Sequence, residues 1–242
     1  MQNKNYIDNT WVDALDGKTF DVENPFTEET ISKVPYSSAK DIDLAVQSAK
    51  KAWKHWTKMG SLEMRDLMRE VAVKSRANDR EIAEVITSES GKPIIECLDE
   101  VEWIASIFEY YSEIGRDQRG RVVAPVTPRS MSMVVKESYG VVGCIVPWNY
   151  PLLLMAWKVA PALAAGNTVV VKPSEITPLS MMVWLEKCCD HLPKGIINLV
   201  TGFGDTGSFL VEHPDTKVIA FTGSVDTGKK IAMMAAPQLK KT

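Results

Sequence analysis

From Gly140 onward the sequence alternates short β-branched runs with longer apolar or amphipathic segments, and this order constrains the fold more than any other feature. Strands that alternate with helices at such spacing form right-handed βαβ units around a parallel sheet. We therefore predict an α/β fold, a parallel sheet with helices on both faces. The predicted strands cover 141–146, 168–172, 196–200 and 218–221, and the predicted helices cover 151–165, 179–191, 206–212 and 226–235.

The first part of the chain has a different pattern. Residues 1–37 are extended and turn-rich, and the hydrophobic residues that follow recur at helical spacing. This spacing predicts one helix over 41–56, one or two helices over 62–90, and another over 94–114. The N-terminal third is therefore expected to be mainly helical.

Residues 119–139 interrupt the helical pattern. The stretch SMSMVVKES alternates apolar and polar residues, and Pro125 and Pro128 lie in a turn before it. A β-hairpin that leaves the body of the domain explains this pattern. Because such a hairpin has unpaired strand edges, we expect it to pack on another surface.

Charge and composition exclude several classes of function. A chain of 242 residues with a formal net charge of -3 gives no electrostatic reason to expect binding to nucleic acid or to an anionic membrane. The apolar run 151–171 is long enough to span a membrane, but Lys158, Pro161 and the Gly166-Asn167 pair favour a helix followed by a buried strand. The N-terminus MQNKNYIDNTW lacks the apolar core of a secretion signal, and the four cysteines show no C-x-x-C pattern. These features predict a cytoplasmic protein with free thiols.

The predicted sheet indicates where a ligand would bind. In a parallel sheet of this kind, ligands lie in the crevice beyond the carboxyl ends of the strands. That rule selects the four loops that follow the predicted strands, and we expect their polar residues to converge on one crevice. The loops are 147–150, 173–178, 201–205 and 222–227.

Two of these loops are rich in glycine. In FTGSVDTG (221–228), a helix N-terminus follows a strand, and its free N–H groups fit a bound phosphate that glycine lets the backbone approach closely. This interpretation assigns Gly223, Ser224 and Gly228 to phosphate binding, and an ordinary strand-to-helix turn is the alternative. In GFGDTG (202–207), Asp205 would repel an anion, which favours a close-packed turn that borders a cofactor.

The other two loops carry an amide and a Lys/Glu pair. Lys172 and Glu175 flank Pro173-Ser174, and a carboxylate here would accept hydrogen bonds from ribose hydroxyls and repel a 2′-phosphate, which favours NAD over NADP. A solvated ion pair is the alternative. The side-chain amide of Asn149 could stabilise a developing oxyanion, or Asn149 could cap the helix that begins near Pro151.

Two stretches, GVVGCIVPWNYPLLLMAWKVAPALAAGNTVVVKPSE and FTGSVDTGKKIA, closely resemble the NAD(P)-dependent aldehyde dehydrogenase superfamily. The resemblance extends from about Tyr6 to the last residue. It implies a Rossmann-like NAD-binding part over 140–242, an N-terminal strand and helical part over 1–118, and an oligomerisation arm over 119–139 of a homo-oligomer. It identifies Asn149 as the oxyanion donor for a thiohemiacetal. The residues it implies for binding NAD are Val146, Pro147, Trp148, Lys172, Pro173, Ser174, Glu175, Gly202, Asp205, Thr222, Gly223, Ser224 and Gly228.

The sequence departs from the family in one respect. Members continue into an E-L-G-G segment with a general base and a G-Q-x-C segment with the nucleophile, and neither occurs in these 242 residues. Oxidation of an aldehyde through a thioester needs both groups. We therefore expect an NAD-binding portion of an aldehyde dehydrogenase, without its catalytic domain and inactive alone. The alternative is a non-catalytic nucleotide-binding or interaction protein derived from the family; the W-N-Y-P match argues against a relative with other chemistry, such as an acyl-phosphate reductase.

The resemblance also bears on the aldehyde substrate. Tyr150 and Trp157 lie seven residues apart, about two helical turns, so they can share one face of the helix. They match aromatic residues in the substrate channel of betaine aldehyde dehydrogenases, where a quaternary ammonium gains cation–π attraction. Other aliphatic aldehydes and semialdehydes are alternatives. We predict no metal site from the residues themselves.

Overall fold

The computed structural model describes residues 2–117 and 120–242, which form ten strands and eight α-helices. The strands are β1 (Asn5–Ile7), β2 (Thr10–Val12), β3 (Thr19–Glu23), β4 (Thr30–Pro35), β5 (Arg121–Val123), β6 (Ser132–Val134), β7 (Val141–Ile145), β8 (Thr168–Lys172), β9 (Ile197–Leu199) and β10 (Thr216–Phe221). The helices are α1 (Ala39–Trp56), α2 (Ser61–Ala77), α3 (Asp79–Ser90), α4 (Ile94–Ile114), α5 (Pro151–Ala164), α6 (Leu179–Cys188), α7 (Gly204–Glu212) and α8 (Val225–Ala235).

The central sheet has six strands in the order β10-β7-β8-β9-β1-β2. Strands β10, β7, β8 and β9 run parallel, which confirms the predicted α/β fold and its parallel sheet. The last two strands are antiparallel: Tyr6 of β1 pairs with Leu199 of β9, and β2 pairs with β1. The sequence predicted extended structure in residues 1–37 but not that part of it joins the sheet. Pairing across more than 190 residues leaves no local signal in the chain.

The two faces of the sheet are covered by different helices. Along β8, Val169 and Val171 pack with α5, α6 and the outer layer of α2, α3 and α4, whereas Val170 packs with α1 and α7. Successive side chains of a strand point to opposite faces, so a run of buried valines is what a doubly covered strand requires. Helix α8 packs with α7 and β10 through Ile231 and Ile219.

The ends of the helices follow local sequence signals. Gly91 adopts a left-handed backbone with φ of 73° and ends α3, as predicted. The predicted helix 179–191 ends earlier, at Cys188, with Cys189 at the C-cap. Helix α8 begins at Val225 because the Ser224 hydroxyl accepts a hydrogen bond from the Thr227 amide. Within the described residues, no helix is long and apolar enough to cross a membrane.

Two buried glutamates stabilise the N-termini of helices to which they do not belong. Glu100 of α4 accepts hydrogen bonds from the amides of Leu152 and Leu153 at the start of α5. Glu89 of α3 accepts hydrogen bonds from the amides of Leu179 and Ser180 at the start of α6. Both carboxylates are fully buried. A helix N-terminus leaves amide groups unpaired, and a carboxylate satisfies them and interacts favourably with the helix dipole.

The hairpin predicted over 119–139 is present as β5 and β6, which pair antiparallel from Arg121↔Val134 to Val123↔Ser132. Arg119, the first residue of the predicted arm, lies outside the described residues. The hairpin exposes a series of apolar side chains, which is unusual for a surface that faces only water. They are Val122, Val123, Val126, Met131, Met133, Val134 and Val135. Its role in oligomerisation stays a prediction.

The burial of Glu89 makes the stability of the fold depend on pH. Burial raises the pKa of Glu89 from about 4.5 to about 8, against the opposing effect of its two amide donors. Because the folded state holds this proton more tightly than the unfolded state, the Glu89 contribution to stability is complete below about pH 4.5 and is lost as the pH rises through 8. Between these values the free energy of unfolding should fall by at most about 1.4 kcal/mol per pH unit on account of this group.

Urea unfolding of the wild type and Glu89→Gln from pH 5.5 to 8.5 tests this prediction. Glutamine keeps one acceptor and cannot ionise, so the stability advantage of the wild type over the variant should shrink steadily as the pH rises. The matched control is Glu84→Gln, an exposed glutamate on the same helix. The difference in free energy of unfolding between Glu84→Gln and the wild type should not vary with pH. If the difference in free energy of unfolding between Glu89→Gln and the wild type is the same at every pH, Glu89 is not the source of the pH dependence.

Candidate functional site

The loops after β7, β8 and β10 meet at a cleft with a volume of about 1070 Å³. Strands β8 and β9 follow β7 on one edge of that strand. The chain then returns, and β10 pairs with the opposite edge of β7. This is the switch point at which open α/β sheets bind ligands. Ten of the predicted site residues line the cleft, so three of the four predicted loops converge there, and the loop 201–205 contributes only Gly204. The ten are Val146, Pro147, Trp148, Asn149, Lys172, Ser174, Glu175, Thr222, Gly223 and Ser224.

Four predicted cofactor residues lie outside the cleft lining. The buried Pro173 accepts a hydrogen bond on its carbonyl from Lys172 Nζ at 2.8 Å. Gly202 has φ of 150°, and a Cβ there would lie 2.1 Å from Thr206 Oγ1, which confirms a close-packed turn. Asp205 accepts a hydrogen bond of 2.5 Å from the Tyr36 hydroxyl and lines a smaller neighbouring cavity. Gly228 packs against the Phe221 ring and lies on α8 between the lining residues Thr227 and Lys230.

Helices α7 and α8 contribute residues to the cleft that were not named as site residues from the sequence. Those on α8 recur at helical spacing, so a helical projection of the predicted helix 226–235 would have found them. Those on α7 include Gly207, which packs against the side chain of Lys172. Gly204 and Thr227 belong to the predicted loops 201–205 and 222–227 but were not named as site residues. The other lining residues that were not named are Ile145, Leu154, Gly207, Ser208, Phe221, Lys230, Ile231 and Met234.

The turn between β10 and α8 has the geometry of an anion site. The first turn of α8 faces the cleft, and Ser224 caps it through the Thr227 amide at 3.3 Å. A Cβ at Gly223 would lie 2.5 Å from the Phe221 ring, so a larger residue here would have to displace that ring. A helix N-terminus next to a position without a side chain lets a phosphate approach the backbone amides.

Lys172 and Glu175 form the polar wall of the cleft beside β8. The Lys172 side chain is only 6% exposed, and its Nζ lies 3.9 Å from Glu175 Oε2. Burial lowers the pKa of Lys172 to about 8, although Glu175 and Asp205 raise it in part. The alternative of a solvated ion pair is therefore wrong for the lysine. A donor and an acceptor side by side can bind a pair of vicinal hydroxyls.

Asn149 lies in the turn between β7 and α5 and is exposed to the cleft. Its backbone carbonyl accepts a hydrogen bond of 3.4 Å from Lys92 Nζ. Within residues 2–117 and 120–242, its side-chain amide has no hydrogen-bond partner, so it is free to donate to a ligand. The interpretation of Asn149 as the cap of α5 is wrong. The cap position is Tyr150, with Pro151 at the first helical position, and Glu100 supplies the acceptor.

The two predicted substrate residues lie outside the cleft lining. The ring centroids of Tyr150 and of Trp103 on α4 lie 6.2 Å apart. Lys92 Nζ lies 4.0 Å from the centroid of the Tyr150 ring, above its face. Trp157 is 55% exposed on the outer side of α5. The sequence did not single out Trp103, although an exposed aromatic residue on an amphipathic helix is a recognisable signal.

The profile of the aldehyde dehydrogenase family matches residues 11–242. The chain belongs to the aldehyde dehydrogenase family. It is 39% identical to betaine aldehyde dehydrogenase 1 of Oryza sativa subsp. japonica over 97% of this chain and 48% of the relative. It is 38% identical to aminoaldehyde dehydrogenase 2 of Zea mays over the same shares. The chain thus spans about half the length of the curated relatives it matches.

Solved structures of aldehyde dehydrogenases share the fold. Betaine aldehyde dehydrogenase from Staphylococcus aureus, solved in complex with NAD+, superposes with a TM-score of 0.95 at 34% identity, over 99% of this chain and 48% of that one. A putative aldehyde dehydrogenase from Burkholderia cenocepacia superposes with a TM-score of 0.96 at 40% identity, over all of this chain and 50% of that one. The family resemblance inferred from the sequence is confirmed.

Lys158 is a further polar residue of this aldehyde dehydrogenase chain that the sequence did not single out. It lies on α5 and donates hydrogen bonds to Thr222 Oγ1 at 2.5 Å and to the Leu154 carbonyl at 3.2 Å. Burial lowers its pKa. The contact ties α5 to the loop after β10, where Thr222 lines the cleft.

All four cysteines of this aldehyde dehydrogenase chain are buried free thiols. Burial raises the pKa of Cys144 and Cys188 to about 12 and raises those of Cys97 and Cys189 as well. A thiol is nucleophilic as a thiolate, so burial of this kind makes all four inert. This geometry supports the prediction that they are structural.

We expect the native chain to resist modification by Ellman's reagent at pH 8. Since the thiols are buried and protonated, they should react only as fast as the protein opens, while the urea-unfolded chain should release four equivalents of thionitrobenzoate at once. Rapid release of one equivalent from the native chain would show that a cysteine is accessible and activated.

Proposed function

We propose that this chain is the NAD-binding portion of an aldehyde dehydrogenase, which oxidises an aldehyde to a carboxylic acid with NAD. The observation that carries the proposal is the cleft at the switch point of the sheet. It combines the helix N-terminus at Ser224 with the Lys172 and Glu175 pair and the free amide of Asn149. The S. aureus relative solved with NAD+ supports the choice of cofactor.

The residues of the cleft fit the proposed cofactor. The amides at the start of α8 and the bare backbone at Gly223 would bind the pyrophosphate, because they offer donors and a close approach to the backbone. Lys172 and Glu175 would bind the ribose hydroxyls of the adenosine. When bound, NAD supplies the hydride acceptor for the reaction.

Asn149 has the proposed role of oxyanion donor. Attack of a thiolate on an aldehyde places negative charge on the carbonyl oxygen, and a fixed amide N–H that points at this oxygen stabilises the charge. The Asn149 side chain is exposed in the cleft and has its hydrogen-bonding capacity free within the described part of the chain. The thiolate and the base that activates water are not among the groups that we assign to this chain, since its four cysteines are buried.

The proposed substrate class is an aldehyde that carries an amino or quaternary ammonium group. Curated relatives are named betaine aldehyde and aminoaldehyde dehydrogenases. The aromatic rings of Trp103, Tyr150 and Trp157 on α4 and α5 support this proposal, because such rings attract cations.

The four unpaired cysteines support a cytoplasmic location.

Cofactor selectivity tests the nucleotide site. The carboxylate of Glu175 should accept hydrogen bonds from ribose and repel a 2′-phosphate, so calorimetric titration should show NAD binding at least about tenfold more tightly than NADP, a difference of about 1.4 kcal/mol. Glu175→Gln should lose most of this preference. The matched control is Glu63→Gln, an exposed glutamate at the start of α2. Equal binding of NAD and NADP by the wild type would remove Glu175 from this role.

Catalytic activity separates the candidate mechanisms. The purified chain should produce no NADH from NAD with propanal or betaine aldehyde, beyond the rate without protein, since its thiols are buried. Turnover that survives replacement of all four cysteines would exclude the proposed cysteine chemistry for this chain. Turnover that one replacement abolishes would instead show that a buried cysteine is the nucleophile.

We also propose that the chain associates through its β5–β6 hairpin. Burial of apolar surface is worth roughly 25 cal/mol per Å², so several hundred Å² of exposed valine and methionine favour association. Light scattering at micromolar concentration should give a mass above the 26.9 kDa of one chain. Replacing the cross-strand pair Val122 and Met133 with lysine should lower that mass, whereas Val73→Lys, at an exposed valine of α2, should not. A wild-type monomer at all concentrations would exclude the proposal.

A further inference from the structure

Glu100 connects the helical layer to the turn that carries Asn149. Its side chain is fully buried, and Oε1 accepts hydrogen bonds from the Leu152 amide at 2.9 Å and the Leu153 amide at 3.0 Å. These are amides of the first turn of α5, immediately after Asn149 and Tyr150. A residue of α4 thus fixes where α5 begins.

The second carboxylate oxygen of Glu100 forms an ion pair with Lys92, whose side chain is 14% exposed. Lys92 lies between Gly91, which ends α3, and Pro93, which precedes α4, so its backbone is held on both sides. From this position Lys92 Nζ also donates to the Asn149 carbonyl at 3.4 Å and lies 4.0 Å above the Tyr150 ring. One ammonium group therefore contacts two parts of the turn, the Asn149 carbonyl and the Tyr150 ring, as well as Glu100.

We propose that Glu100 and Lys92 are positioning residues that fix the turn 148–150 and thereby orient the Asn149 amide. The proposal rests on the role of Asn149 given under the proposed function. Glu100 holds the amides that follow the turn, and Lys92 holds the carbonyl within it. Both residues lie outside the cleft lining, so they act through Asn149 rather than on a ligand. An oxyanion donor stabilises charge only when it is held close to the productive geometry, within about 10–20°.

The same fold contains a natural comparison. Glu89 contacts the first turn of α6 as Glu100 contacts that of α5, with two amide hydrogen bonds. In the described part of the chain, Glu89 has no lysine or arginine partner, whereas Glu100 pairs with Lys92. Within the described residues, Glu89, whose pKa burial raises to about 8, caps α6 without a cation. The cation at Glu100 adds contacts to Asn149 and Tyr150, and this difference points to control of the turn.

Nuclear magnetic resonance of the isotope-labelled full chain tests the proposal. The principal variant is the double substitution Glu100→Gln with Lys92→Met, which removes the pair without leaving a lone buried charge. We expect fast motion of the backbone amides of Asn149 and Tyr150 in 15N relaxation, and a shift of the Asn149 side-chain resonances. Glutamine keeps the acceptor but loses the charge that strengthens both hydrogen bonds, so exchange of the Leu152 and Leu153 amides should be about tenfold faster. Asn149→Asp, which lacks the side-chain NH₂ group, assigns its resonances.

Two further variants separate positioning from stability alone. Glu89→Gln should speed exchange of the Leu179 and Ser180 amides and leave the 15N relaxation of the turn 148–150 unchanged. This should hold even if it lowers the melting temperature as much as the double variant does. Lys92→Arg keeps the charge beside Glu100 and should preserve the order of the turn. If the double variant is folded and the relaxation of Asn149 and Tyr150 matches the wild type, the proposal is wrong.

The wild type itself gives an independent test that needs no variant to fold. The backbone amides of Asn149 and Tyr150 should be as ordered in 15N relaxation as those within α5, and mobility of this turn in the wild type would overturn the proposal. NAD titration of the wild type is read separately. Absence of NAD binding would count against the proposed function, while an ordered turn that depends on Glu100 and Lys92 would still support the positioning role.

Discussion

The cleft of this member of the aldehyde dehydrogenase family depends on two glutamate side chains buried between helices. Glu100 and Glu89 reach from the N-terminal helical layer to the first turns of α5 and α6. These two helices follow the loops that carry Asn149 on one side and Lys172 and Glu175 on the other. Burying a carboxylate costs free energy, and backbone amides at a helix N-terminus are among the few partners that offset the cost. The N-terminal helices therefore help to position the loops that form the cleft.

A second polar network connects the N-terminal strands to the loop after β9. The side chain of Asn5 on β1 accepts a hydrogen bond from the Thr201 amide and donates one to Ser37 Oγ. Thr206 at the start of α7 donates to the Ser37 carbonyl at 2.7 Å. These buried contacts hold the turn at Gly202, where only a glycine fits against Thr206. Segments far apart in sequence thus fix α7, the helix that forms the wall of the cleft beside Lys172.

Local patterns were sufficient to predict most of the fold. The valines of β8 and the glycines after β10 each carry a signal that does not depend on distant residues, and the cleft forms where these strands end. The antiparallel pairing of Tyr6 with Leu199 was missed because it depends on contacts between distant segments. Asn149 was considered as a helix cap for the same reason. Sequence spacing shows that α5 needs an acceptor near its start, but not that Glu100 of another helix supplies it.

The central proposal is that the strand-end cleft is a dinucleotide site in which Ser224 marks the position of the pyrophosphate and Glu175 that of the adenosine ribose. A crystal structure of this chain grown with NAD+ tests it most directly. The account predicts a pyrophosphate on the amides at the start of α8 beside Gly223, and adenosine ribose hydroxyls within hydrogen-bond distance of Lys172 and Glu175. Nucleotide density in another cavity, or an empty cleft at saturating NAD+, would contradict it.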